Sequence, residues 1–292
     1  NVTQKQQIIV IMSGMFITFF LILHYLPNDM TFTSALHIAG ANDKMNVVNF
    51  SFDPEEKYTF WSGITGGFFL ALAYFGTDQS QVGRYLSGKS VKESQMGLIM
   101  NGLLKVPMQF FILLTGVMVF VFFQFNPVPL NFNPNNKLII EKSAFKEEYH
   151  VLEKKLEVLS EDKKVVNLLY IDQLNQDYDN PILRKELVAL SNKEKDLRDR
   201  AKEIILKADS NSETNDKDYV FFHFILNYLP KGLIGLLLAV IISAAMSSTA
   251  SGLNALASTT AIDIYKRNLK EEKSEKHYLN ATKFFTLLWG II

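Results

Sequence analysis

The chain has 292 residues, of which 48% are hydrophobic and 21% charged, with 30 basic side chains balancing 30 acidic ones and no cysteine. The lack of cysteine excludes a disulfide framework and a thiolate metal site, and no basic face points to nucleic acid. The zero net charge averages two unlike materials, because the charges are segregated from long apolar runs.

In chain order, apolar runs cover 7–26, 59–83, 96–125 and 232–263, and a fifth starts near Tyr278. Each of the first four is long enough to cross a bilayer, which takes about 20 residues of helix. The run 232–263 exceeds one perpendicular span, so it must tilt or extend past the membrane. A shorter apolar stretch, 220–228, ends before Pro230 and reads as an interfacial or re-entrant helix. Asn1 is no initiator and Trp289-Gly290-Ile291-Ile292 lies inside an apolar run, so the chain is expected to be an internal piece.

Loop charges orient the spans. Arg84, Lys89 and Lys92 follow the second run, and Lys266, Arg267, Lys270, Lys273 and Lys276 follow the fourth. The 28–58 loop carries Asp29, Asp43, Asp53, Glu55 and Glu56 against Lys44 and Lys57. The expectation is a multi-pass integral protein of a bacterial inner membrane, with Asn1 cytoplasmic and the 28–58 loop external.

Residues 126–219 would then also be external. They open with a linker rich in Pro and Asn. Phe145, Tyr149, Leu152, Leu156, Leu159 and Val166 follow a four-three spacing that Lys163 interrupts. Leu183, Leu187, Leu190, Leu197, Ala201 and Ile204 do the same, with Glu194 interrupting. Such seams mark helices that pack together, and Asp177-Tyr178-Asp179-Asn180-Pro181 breaks the pattern between them. The expected structure over 142–208 is an antiparallel helical hairpin, a surface for a protein partner, with a polar, mobile end over 209–218.

The fourth run contains Ser243-Ala244-Ala245-Met246-Ser247-Ser248-Thr249-Ala250-Ser251-Gly252-Leu253-Asn254. A membrane helix so rich in small residues and hydroxyls either packs closely against neighbours or binds a cation through neutral oxygens. Both readings stand on composition alone.

The run from Ala244 to Asn254, followed by Asp263-Ile264-Tyr265-Lys266, resembles the sodium-site helix of the sodium/solute symporter family. Tyr74-Phe75-Gly76-Thr77-Asp78-Gln79, then Arg84-Tyr85-Leu86-Ser87-Gly88-Lys89, is similar to a second signature of that family. The resemblance implies an all-α polytopic membrane helix bundle, part of a five-plus-five inverted-repeat core, with the hairpin as an extramembrane insertion. Residues 1–125 would hold core helices five to seven, 126–219 the insertion, and 220–292 core helix eight and the start of nine. It further implies a sodium site built from the Ala244 carbonyl and the Ser247 and Ser248 hydroxyls, completed by core helix one. Tyr74 matches an inner-gate aromatic and Lys105 a solute-contacting lysine of sugar-carrying members. A lysine beside the intramembrane Pro107 either lines a cavity or snorkels to the interface. Aligning Gln7 with the family's glutamine puts Gln4 where some members carry an aspartate tied to a further sodium, so one sodium is expected.

The functional expectation is sodium-coupled symport of a small organic solute, with a sugar permitted by Tyr74 and Lys105. Sodium is the coupling ion, no cofactor is needed, and the bilayer is the third partner. A membrane-anchored sensor built on the same core is the competing class. No Ser-His-Asp set, metal-ligand cluster or phosphate loop argues for an enzyme, and His24, His37 and His223 are isolated.

Overall fold

The computed structural model describes residues 2–46, 48–53, 59–86, 90–269 and 271–292, with side chains from residue 7 onward except 84–86. The expectations placed on Glu55, Glu56, Lys57, Lys89 and Lys270, and on the side chains of Gln4 and Arg84, lie outside the described residues.

The described residues are helical, without strands. Helices α1 (Val2–Tyr25) and α2 (Phe32–Ala41) come first, then α3 (Phe60–Leu72), α4 (Gln79–Leu86) and α5 (Val91–Phe122). Next are α6 (Pro134–Glu141), α7 (Lys146–Leu174) and α8 (Pro181–Ala208). The chain continues through α9 (Lys217–Tyr228), α10 (Lys231–Thr259) and α11 (Glu275–Ile291). Among the described residues, three helices are long and apolar enough to cross a membrane: Gln7–Tyr25, Val91–Phe122 and Lys231–Lys266. With these spans the protein is an all-α membrane helix bundle.

The run 59–83 departs from the single span expected of it. Thr59 starts α3 with a reciprocal capping box to Ser62, but the α-helix lasts only 13 residues. A five-residue π segment, Ala73–Thr77, follows. Asp78 is then extended (φ −72°, ψ 100°), and its carboxylate accepts from the Ser80 amide (2.9 Å) and hydroxyl (2.7 Å), starting α4. The Asp78 carboxylate is therefore a local cap at the start of α4, where the preceding helix breaks.

Two compact units form. One comprises Asn1–Met12, Val48–Gln109 and Gly235–Ile292, and the other Ser13–Val47 and Phe110–Ile234. In the first, the Trp289 indole donates to the Thr260 hydroxyl (3.0 Å), and Tyr265 stacks on His277 at 5.8 Å. The second has an aromatic core around buried Phe122, whose ring meets Phe224 at 5.0 Å and Tyr228 at 4.7 Å.

The insertion is the hairpin read from its seams. Tyr149, Leu152 and Leu156 at the start of α7 share a core with Ala201, Ile204 and Ile205 at the end of α8, so the helices run antiparallel. The two residues that interrupt the seams pair with each other: the Lys163 ammonium donates to the Glu194 carboxylate at 2.8 Å. Arg198 bonds the other Glu194 oxygen at 3.0 Å. Tyr170 closes the far end of the seam, donating to Asp179 at 2.7 Å.

The 209–218 segment, expected as a polar and mobile end, is hydrogen-bonded to the leading linker. The Asp216 carboxylate accepts from the Phe132 amide (2.8 Å), and the Asn136 side chain donates to the Glu213 carbonyl (3.0 Å). The Arg198 guanidinium also donates to the Leu130 carbonyl at 3.0 Å. The leading linker and the trailing segment therefore satisfy each other's polar groups, which a composition-based reading of either one cannot reveal. Helix α2 joins this body: Ser191 donates to Asn42 (2.6 Å), and the Asn175 amide donates to the Asp29 carbonyl (2.9 Å).

Candidate sodium and solute sites

Helix α10 runs unbroken from Lys231 to Thr259, so Ser243, Ala244, Ser247 and Ser248 share one helical face with a pitch of one turn. Hydroxyls on helices commonly bond back to the carbonyl four residues earlier. Thr249 does so to Ala245 at 3.0 Å, and Thr260 to Leu256 at 2.8 Å. Among the described residues, Ser247 and Ser248 make no such bond and no other side-chain hydrogen bond. Their oxygens are thus uncommitted, and the Ala244 carbonyl keeps a second lone pair beside them.

Ser243, one turn earlier, is engaged by a residue outside the site read from the sequence. The Gln7 amide of α1 donates to its hydroxyl at 2.6 Å. The signal was a polar side chain at the edge of an otherwise apolar run.

Tyr74 sits in the π segment, where the wider turn rotates side chains away from their α-helical positions. Its hydroxyl donates to the Gln81 side chain at 3.0 Å. The Lys105 ammonium of α5 stands 5.6 Å from the centre of the Tyr74 ring. The structure thus brings together two residues chosen separately along the chain, and a cation above an aromatic face is an attractive contact. Pro107 lies inside α5 two residues beyond Lys105, where its missing N–H leaves a carbonyl of the preceding turn free. Among the described residues, no hydrogen bond joins this pair to Ser247 or Ser248.

Residues 205–292 match the sequence profile of the sodium:solute symporter family. The human sodium/iodide cotransporter is 33% identical over 66 residues, covering 23% of this chain and 10% of the relative. Mouse sodium-coupled monocarboxylate transporter 2 is 34% identical over 70 residues, 24% of this chain and 11% of the relative. Human sodium-coupled monocarboxylate transporter 1 is 36% identical over 69 residues, again 24% and 11%. The chain thus covers about a tenth of the length of these relatives. No solved structure matches it. The hydroxyl-bearing turn of α10 lies within the region, residues 205–292, that is similar to the sodium:solute symporter family.

Proposed function

We propose that the protein containing this chain is a sodium-coupled symporter of a small organic solute, working by alternating access. The observation that carries the reading is the α10 turn at Ala244, Ser247 and Ser248. It lies within the family-matched region and holds two hydroxyls without hydrogen-bond partners among the described residues. Neutral hydroxyl and carbonyl oxygens suit a monovalent cation that must bind and then leave, since a carboxylate cage holds such an ion more tightly. One sodium binds there, jointly with a helix outside this chain. It favours the outward-open arrangement because only there do both helices reach the ion, and its loss inward loosens them.

Tyr74 and Lys105 line the solute path from the cytoplasmic half, with Asn1 on the cytoplasmic side and the hairpin external. The Lys105 ammonium supports an anionic solute over a neutral sugar. The relatives named for iodide and monocarboxylates are consistent with that choice.

The test is radioactive sodium binding to the full-length protein in proteoliposomes. Ser247→Ala and Ser248→Ala should each weaken binding by about 1–3 kcal/mol, the scale of one lost polar contact to an ion. Wild-type sodium affinity in both variants would reduce this face of α10 to a packing surface.

A further inference from the structure

The seam of α7 is covered by α8, but its outer face carries a second apolar pattern. Val151, Val158 and Val165 recur every seven residues and are 51%, 64% and 56% exposed. Seven residues are close to two helical turns, so the three valines form a single line about 20 Å long. On a membrane-spanning helix such a line would face lipid. Helix α7 is not among the candidate spans and carries repeated charges from Lys146 to Lys164, so the stripe needs another occupant.

The charges around the stripe identify that occupant. Lys154 and Lys155 lie four and three residues before Val158, and Glu161 and Asp162 lie three and four residues after it. The pattern is self-complementary about Val158. Against an antiparallel copy of α7 related by a two-fold axis at Val158, that valine meets its own equivalent and Val151 meets Val165 of the second copy. Lys155 then falls opposite Asp162 of the second copy, and Lys154 opposite Glu161. A contact in which the same patch serves both partners is the form most homodimers take. Lys154, Lys155 and Asp162 have no ion-pair partner among the described residues, so they are available. An unrelated partner would not require the symmetry.

We propose that the outer face of α7 is a homodimer contact, formed antiparallel about Val158 with a second copy of this chain. Copies sharing a bilayer are related by an axis along the membrane normal, so the contact requires α7 to lie across that normal. One helix face per copy is a small interface, so confinement in the membrane does much of the work of holding the copies together. The inference is independent of the sodium reading, since none of its residues belongs to the α10 turn.

The chain's lack of cysteine gives a clean test. In the full-length protein in membranes, with any cysteine outside this chain replaced, Val158→Cys should form a covalent dimer under mild oxidation. A cysteine at exposed Val188 on α8 reports random collision. Lys154→Glu with Lys155→Glu makes the patch wholly acidic and should lower Val158→Cys crosslinking at least tenfold. Glu161→Lys with Asp162→Lys makes it basic and should do the same. Mixing the two charge variants, each carrying Val158→Cys and a different tag, should restore crosslinking as heterodimers only. Crosslinking no higher than at Val188→Cys, or equal for all charge variants, would overturn the proposal. So would a monomer whose Val158→Cys is shielded from thiol reagents, which would assign the face to a different protein.

Discussion

Replacing Glu194 with Ala should damage the hairpin more than replacing Lys163, although they form one ion pair. The Lys163 side chain is 6% exposed and Glu194 is its one ion-pair partner among the described residues. Removing Glu194 strands an ammonium in the seam, at a cost of about 3 kcal/mol; the lower end of the buried-charge range applies because the lysine stem can bend toward water. Removing Lys163 leaves Glu194 with Arg198 at 3.0 Å and with its own 21% exposure. That variant should lose about 1–2 kcal/mol, mostly one charged hydrogen bond and the packing of the stem. Lys163→Met with Glu194→Leu fills the same space without charge and should equal or exceed the wild type by about 1–3 kcal/mol.

The assay is urea unfolding of the 126–219 segment, followed by far-UV circular dichroism. The segment keeps both the leading linker and Asp216, so it should fold alone as helix. Acid provides a second reading. Burial pushes the Glu194 carboxyl up, but Lys163 and Arg198 outweigh it and hold the pKa below the usual 4.5. A lowered folded pKa stabilises the hairpin above 4.5, and this is lost as pH falls through the folded value. The apolar double variant should lack that component of acid sensitivity. Equal costs for the two single variants within about 0.5 kcal/mol, or a double variant weaker than both, would falsify the reasoning.

Tyr74→Phe removes only the hydroxyl that donates to Gln81, so it should lower solute uptake by the intact protein modestly while leaving membrane insertion unchanged. Lys105→Met should cost more, about tenfold in apparent solute affinity, if the ammonium meets an anion; unchanged affinity in proteoliposome uptake would remove Lys105 from the path. Asp216→Ala should free the Phe132 amide and loosen the 209–218 segment, costing about 1–2 kcal/mol. Hydrogen exchange should then accelerate at Phe132 and across 209–218 but not at Lys163, and uniform acceleration would refute a local tie.

The sequence by itself carried the features that depend on neighbours along one helix. Seam spacing placed α7 and α8 within a few residues, because a four-three apolar repeat is a property of one helix face. Apolar length identified the three span-capable helices for the same reason. The hydroxyl turn of α10 was likewise visible, since its residues lie within five positions of one another. What depended on distant partners, or on a local competition between bonding patterns, was not legible. Lys163 and Glu194 looked like two separate faults until antiparallel packing placed one against the other. The 209–218 segment looked loose because its partners, Phe132 and Asn136, lie about 80 residues earlier. The run 59–83 looked continuous because hydropathy does not register that Asp78 prefers to cap α4 over extending α3. Tyr74 and Lys105 were each found by motif, but their approach to 5.6 Å was set by the π segment, α5 and the packing between them. Periodicity records which face of a helix is buried, whereas only the folded chain decides what that face is buried against.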